Sequence, residues 1–290
     1  MNTDIEIGIT FDLDLGVICK DITEEAVKMM EKAPIYDNMI CHWMNLPKRE
    51  DRRKKFYDNV LPYVEMLMRC DMIESVDGSK LDLDKMIATG ELAGKKYAIY
   101  DLTRGQIGCI KSHVKSMEAF LKTDYKYLLN LEDDVVINMN MFEENMDKVL
   151  GNLDNMLFDL LYVGRHCCGD RGFYWGKDCG MVYEPKHYGY GAHAYIVTRQ
   201  AARNIVKYFT DWKGTVRKTQ IPAIPFDVWM AHKMGYKKHI GTPIRIYSIK
   251  PEGYEEKREE YGNNKEVYSR GSEFIFYAGN HGDSDTTRIK

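Results

Sequence analysis

Three consecutive acids, Glu132-Asp133-Asp134, stand between two apolar runs, Tyr127-Leu128-Leu129-Asn130-Leu131 and Val135-Val136-Ile137. A carboxylate buried without a partner costs several kcal/mol, so three together need water, a metal or hydrogen-bond donors. In open α/β sheets the crevice beyond the carboxyl ends of the strands supplies such partners, and ligands bind there. The triplet reads as the acidic end of a buried strand, holding a divalent cation and its ligand. A hydrated acidic turn is the plain alternative, because short acidic motifs recur by chance. Asp12-Leu13-Asp14, Asp82-Leu83-Asp84 and Asp283-Ser284-Asp285 also match D-x-D, but none follows a convincing buried strand.

Other residues with chemical potential surround elements that would bring them near the triplet. Asn38 to Leu46 reads as a first core strand that Pro47 stops. The basic run Lys48 to Lys55 follows and opens a helix through Tyr63. Most of it suits a solvated helix face, but Arg49 and Arg52 are placed to pair with phosphate in a fork-like manner. Ile73 to Val76 reads as a short strand closed by the turn signal Asp77-Gly78. Thr103-Arg104-Gly105-Gln106 has the form of a capping box. The helix it opens carries an apolar stripe at Ile107, Ile110, Val114, Met117 and Leu121, with Ser112 and His113 at its edge. A histidine in that position is more often structural than catalytic.

Leu157 to Val163 and Gly191 to Val197 read as strands, separated by a loop from Gly164 to Tyr190 rich in glycine and aromatic residues. Phe173, Tyr174, Trp175, Tyr183, Tyr188 and Tyr190 suit either sugar faces or packing of the loop. A helix follows from Thr198 to Phe209, and another starts near Phe226-Asp227, where Asp227 either caps it or serves as a carboxylate in the cleft. Thr242 to Ser248 is a final strand. Strand, helix, strand in succession predicts an α/β fold with a mostly parallel central sheet flanked by helices. The expected organisation is an N-terminal extension over 1–36, one domain over 37–250 and a loosely packed tail over 251–290.

The 290 residues suffice for a substantial core. A net charge of −3 from abundant charges of both signs does not suggest a general nucleic-acid binder. No apolar run approaches the roughly 18–20 residues that span a bilayer, and the acidic start lacks the parts of a secretory signal, so a cytoplasmic location is expected. Seven scattered cysteines fit reduced thiols better than a disulfide framework. His166, Cys167, Cys168, Cys179 and His187 are a poor match to the paired spacing of structural zinc sites.

Taken in order, several of these pieces resemble glycosyltransferase family 25. They are Asn45-Leu46-Pro47-Lys48-Arg49-Glu50-Asp51-Arg52, Asp77-Gly78, Leu102 to Cys109 with Ser112-His113, Leu131 to Val135, Gly191 to Arg199, and Phe226-Asp227, spread over about residues 38–235. Gln106 stands where the family usually has glutamate, which a capping box tolerates, and Ala201-Ala202 stand near a usual glycine-alanine pair. The resemblance implies a GT-A-type nucleotide-sugar-binding fold, a UDP-sugar donor (UDP-galactose first, UDP-glucose next) and Mn²⁺ or Mg²⁺. It implies an inverting transfer of a hexose to a hydroxyl on a glycan or glycoprotein. On this reading Asp134 binds the metal, and Glu132 and Asp133 serve the ribose or support the metal. Asn45, Leu46, Arg49, Arg52, Asp77, Gly78, Ser112 and His113 bind the donor, and Asp227 is the base. A non-catalytic nucleotide- or glycan-binding protein of the same fold and a metal-dependent phosphohydrolase are the rival readings.

Overall fold

The computed structural model describes residues 36–92, 102–166, 177–184, 190–210, 226–231, 245–250, 252, 254 and 274–278. Residues 1–35 of the expected N-terminal extension, Phe173, Tyr174, Trp175, Tyr188, Cys167-Cys168, His187 and the D-x-D patterns at 12–14 and 283–285 lie outside these residues.

Strand β1 (Met39–Asn45) is buried throughout, as its apolar run requires. The single helix expected after Pro47 is two, α1 (Glu50–Asn59) and α2 (Leu61–Glu65). Pro62 sits in the first turn of α2, and proline has no N–H to extend a helix that passes through it. Strand β2 (Arg69–Glu74) begins earlier than expected. It lies at the sheet edge with Arg69, Met72 and Glu74 exposed, so its apolar residues mark only part of it. A 3-10 turn (Gly78–Lys80) and α3 (Leu83–Ala88) follow. Asp82 caps α3, accepting from the Lys85 N–H at 3.0 Å, so this D-x-D is a helix start.

Helix α4 (Arg104–Leu121) opens with the expected capping box. The Gln106 N–H donates to Thr103 Oγ1 at 3.2 Å, and the Thr103 N–H to Gln106 Oε1 at 2.9 Å. β3 (Tyr127–Glu132), β4 (Val135–Ile137) and α5 (Met139–Asn152) come next. β5 (Leu160–His166) starts later than expected and leaves Leu157 exposed. The long loop contains two short strands, β6 (Lys177–Cys179) and β7 (Val182–Glu184). Then follow β8 (Tyr190–Thr198), α6 (Arg199–Thr210), α7 (Phe226–Ala231), β9 (Ile246–Ile249) and β10 (Phe276–Ala278). Cys41, Cys70, Cys109 and Cys179 are free thiols.

The chain is α/β, with a sheet ordered β2-β1-β3-β8-β5-β9-β7-β6 and flanking helices. β2, β1 and β3 are parallel, as are β5 and β9. The sheet is mixed rather than mostly parallel, because β8 runs antiparallel between β3 and β5. After β5 the chain makes the β6–β7 excursion and comes back as an antiparallel neighbour, where a helical crossover would have given a parallel one.

Of the two readings open for the loop aromatics, Tyr183 takes packing: it is fully buried and stacks on Tyr254 with centroids 5.6 Å apart. The tail is not loose at 274–278: Phe274, Ile275 and Phe276 are fully buried, and β10 pairs with β4 and β5. Gly164 admits this strand, since a Cβ there would lie 2.4 Å from the Phe276 carbonyl oxygen. Among the described residues no helix is long and apolar enough to cross a membrane.

Arg199 fixes α4 against the sheet. Its Nε donates to the Tyr125 carbonyl at 2.8 Å, and its Nη1 to that of Leu121 at 3.1 Å. Its Nη2 donates to the carbonyls of Thr123 and, at 3.3 Å, Phe120. These are carbonyls at and just past the helix end, which α4 cannot satisfy itself. Arg199→Met is expected to lower stability in urea denaturation by about 2–4 kcal/mol through the stranded carbonyls.

Candidate functional site

β1 and β3 run parallel with Met44 beside Glu132, so Asn45 and the acidic triplet emerge together at their carboxyl ends. Asp133 and Asp134 form the turn into β4. Asp133 has both oxygens engaged: Asn45 Nδ2 donates to Oδ2 at 2.7 Å, and Arg52 Nη1 to Oδ1 at 3.0 Å. Arg52 also stands 3.3 Å from Asp134 Oδ2. Its neighbour Arg53 donates to Asn45 Oδ1 at 3.2 Å and to the Pro47 carbonyl at 2.8 Å, locking the chain as it leaves β1. Arg49 is turned onto Asp51, 2.9 and 2.8 Å away, and reaches Asp133 only through its charge.

The acidic triplet and Arg52 border a cleft of about 480 Å³, whereas Asn45, Arg49 and Arg53 do not line it. Leu46, Lys48 and Arg52 line it from the β1–α1 side, and Asp77, Gly78 and Ser79 from the turn after β2. Arg104, Gly105, Cys109, Ser112 and His113 line it from α4. The turn lies against the helix because two glycines permit it. A Cβ on Gly108 would sit 2.7 Å from the Val76 carbonyl oxygen, and one on Gly78 only 2.0 Å from that of Arg104. Ser112, expected at the ligand, braces this contact: its Oγ accepts from the Val76 N–H and donates to the Gly108 carbonyl, both at 2.8 Å. Asp77 is held at the rim by Ser79 and by Lys48 Nζ at 3.2 Å.

Burial and mutual repulsion set the acidity of the triplet. Withdrawal from water, then the charges of Asp133 and Asp227, push Glu132 up to about 7 against the pull of Arg52. Withdrawal from water and the charge of Glu132 do the same to Asp134, also to about 7. Asp133 is raised as well, burial outweighing Arg52. Asp134 Oδ1 is buried with no hydrogen-bond partner among the described residues. An acceptor-only oxygen stranded beside two further carboxylates fits a hard divalent cation, the kind carboxylate oxygens bind.

Asp227 occupies the second position of α7, inside its first turn rather than at the cap. Its charge is among those acting on Glu132, His113 and Cys109, so it lies toward the triplet. His113 is fully buried, packs on Phe226 with ring centroids 4.3 Å apart and meets Glu132 Oε1 through Nε2 at 3.1 Å. Cys109, His113 and Glu132 bring ligand-type atoms within 4.8 Å of one another. Burial first, then the neighbouring carboxylates, raises the Cys109 thiol well above its ordinary range. Sequence reasoning passed over Lys48, Arg53, Arg104 and Cys109 as site residues. Arg53 was hidden in a run of like charges, and Arg104 in the capping motif.

The fold and cleft define an α/β protein with an acidic crevice at its strand ends, rimmed by cations. The family model described as Glycosyltransferase family 25 (LPS biosynthesis protein) matches residues 39–230. The chain belongs to this family. It is 30% identical to procollagen galactosyltransferase 2 of Homo sapiens over 128 residues, 42% of this chain and 20% of that protein. It is 26% identical to a glycosyltransferase 25 family member of Drosophila pseudoobscura pseudoobscura over 200 residues, 67% of this chain and 31% of that one. The matches thus span less than a third of either relative. A crystal structure of a glycosyltransferase involved in glycosylation of the major capsid of PBCV-1 aligns over 83% of this chain and 91% of its own, with 12% identity and a TM-score of 0.42.

Two outcomes are expected. Gly108→Ala forces the turn carrying Asp77 off α4, and ligand affinity of the folded variant measured by calorimetry should fall, with a stability loss of about 1–3 kcal/mol. The second concerns pH. Glu132 and Asp134 have folded pKa values raised to about 7, so the stability they lend is full below their ordinary values and is lost as pH rises through 7. Metal-free protein should therefore melt at lower temperature at pH 8 than at pH 5.5, as far as this pair contributes. Mn²⁺, which competes with those protons, should raise the melting temperature more at pH 8 than at pH 6, and Asp134→Asn should abolish the Mn²⁺ effect.

Proposed function

We propose that this protein is a hexosyltransferase whose cleft binds a UDP-sugar, galactose foremost, with Mn²⁺ or Mg²⁺, and transfers the sugar with inversion to a hydroxyl of a glycan or glycoprotein. The observation that carries this reading is the stranded Asp134 Oδ1, set between two further acids at the strand ends of a family 25 chain. The unit that does this is residues 37–250 in a GT-A-like fold, completed by β10 from the tail.

In this reading Asp134 holds the metal, and Glu132 supports it or meets the ribose. Asp133, already saturated by Asn45 and Arg52, keeps the turn in shape. The bound cation supplies charge neutralisation for the leaving diphosphate. Asp77, Gly78 and Lys48 form the rim for the nucleotide. In the transfer, the acceptor oxygen bonds to the anomeric carbon as the bond to the UDP oxygen breaks, and that electron pair leaves with UDP. Asp227 takes the hydroxyl proton, the base that inversion requires within hydrogen-bond reach of the acceptor.

The test is UDP release from a panel of UDP-sugars with Mn²⁺ and with chelator, beside calorimetry of UDP with metal. Chelator-sensitive release from one donor is expected, and Asp227→Asn should remove transfer while leaving UDP affinity near normal. UDP binding without turnover on any donor or acceptor would favour a non-catalytic binding protein. Hydrolysis of simple phosphate esters would favour a phosphohydrolase. Absence of both UDP binding and UDP release would end the transferase reading.

A further inference from the structure

A chain of buried polar groups runs from β1 through α4 and β3 to the triplet. His42 Nδ1 lies 3.1 Å from both the carbonyl oxygen and Oγ of Ser116. A carbonyl can only accept, so Nδ1 of His42 carries the hydrogen. Ser116 Oγ donates to Asn130 Oδ1. That contact turns the Asn130 amide nitrogen the other way, where it lies 3.1 Å from Tyr195 Oη and 3.0 Å from His113 Nδ1, while Tyr195 Oη itself lies 2.9 Å from the same Nδ1 and can donate its hydrogen there. An amide nitrogen can only donate, so His113 Nδ1 presents a lone pair and the ring hydrogen sits on Nε2. Nε2 faces Glu132 Oε1 at 3.1 Å, so the ring hydrogen is placed to be donated to that carboxyl oxygen. The direction is set from the His42 end of the chain.

We propose that Asn130, held by Ser116, is a positioning residue that fixes His113 in its Nε2–H tautomer, so that His113 aims Glu132 by donating to it and is not itself a metal ligand. Burial, only partly opposed by the charge of Asp227, lowers His113 to about 3, so the ring stays neutral and the tautomer alone decides what it offers. The proximity of Cys109, His113 and Glu132 has the composition of a zinc set, but the nitrogen facing that set carries a proton. The lone pair points to Asn130 and Tyr195 instead. The consequence for catalysis rests on the proposed reading of the cleft; the tautomer does not.

The experiment is a long-range ¹H–¹⁵N correlation on the full chain labelled at its eight histidines, with His113 assigned by its loss in His113→Gln. Wild type should show His113 with bare Nδ1 and protonated Nε2. Asn130→Asp replaces the donor by an acceptor and should reverse the pattern. Ser116→Ala, a smaller change that keeps the amide but frees it to turn, should give a mixture, whereas Tyr195→Phe should leave the wild-type pattern. A bare Nε2 in wild type, or an unchanged pattern in whichever of Asn130→Asp and Ser116→Ala folds, would overturn the proposal. So would loss of the Nε2–H signal on adding Zn²⁺. In the folded Asn130→Asp variant, Mn²⁺-dependent UDP affinity should fall roughly 10–100-fold, the usual effect of losing a partner behind a ligand. If wild type bound no UDP, the tautomer result would stand and the transferase reading alone would fall.

Discussion

Everything in this structure answers to the cost of placing three carboxylates at the end of a buried strand. No two of them are treated alike. Asp133 is saturated by Asn45 and Arg52, Glu132 receives one neutral hydrogen bond from His113, and Asp134 shares Arg52 but keeps one oxygen stranded. Each partner comes from a different element: Asn45 from the end of β1, Arg52 from α1 and His113 from α4. The acids fold only if those elements arrive in register, so the site and the packing of β1, β3 and α4 are a single requirement.

The second requirement is close approach. The turn that carries Asp77 reaches the cleft only because Gly78 and Gly108 let backbone meet backbone, with Ser112 closing the gap by two hydrogen bonds. Arg199 holds the far end of the same helix through the carbonyls there. Helix α4 is thus fixed at both ends, and the histidine between them has little freedom left. Phe226 stacked on its ring removes more.

Much of this was legible in the sequence because it follows local rules. The capping box at Thr103–Gln106, the apolar stripe of α4 and the acidic break after Leu131 each leave a pattern within a few residues. What was not legible depends on distant pairing. β2 hides because half of its residues face water at the sheet edge, and β10 because three buried residues in a charged tail carry no period. Tyr183 read equally as a sugar-facing ring or as loop packing, since nothing local says that a loop aromatic will be roofed by Tyr254. Arg52 and Arg53 are adjacent in one basic run, and only the three-dimensional placement of Asn45 and Asp133 separates their tasks. Asn130 did leave a signal, a lone amide in the apolar run of β3. Its meaning needed Ser116 and Tyr195, contributed by a helix and a strand far along the chain.

The charge balance explains why the triplet is left incomplete. With His113 neutral and Lys48 engaged by Asp77, Arg52 touches two of the acids, Asp133 and Asp134, and acts on Glu132 only through its charge. A second arginine there would quench the site, and a charged histidine would do the same. Instead burial and mutual repulsion raise both Glu132 and Asp134 to about 7, so the pair favours protons over two bare charges. A divalent cation bound there, as proposed, would compete with those protons, which would couple its affinity to pH and the stability of the fold to its presence.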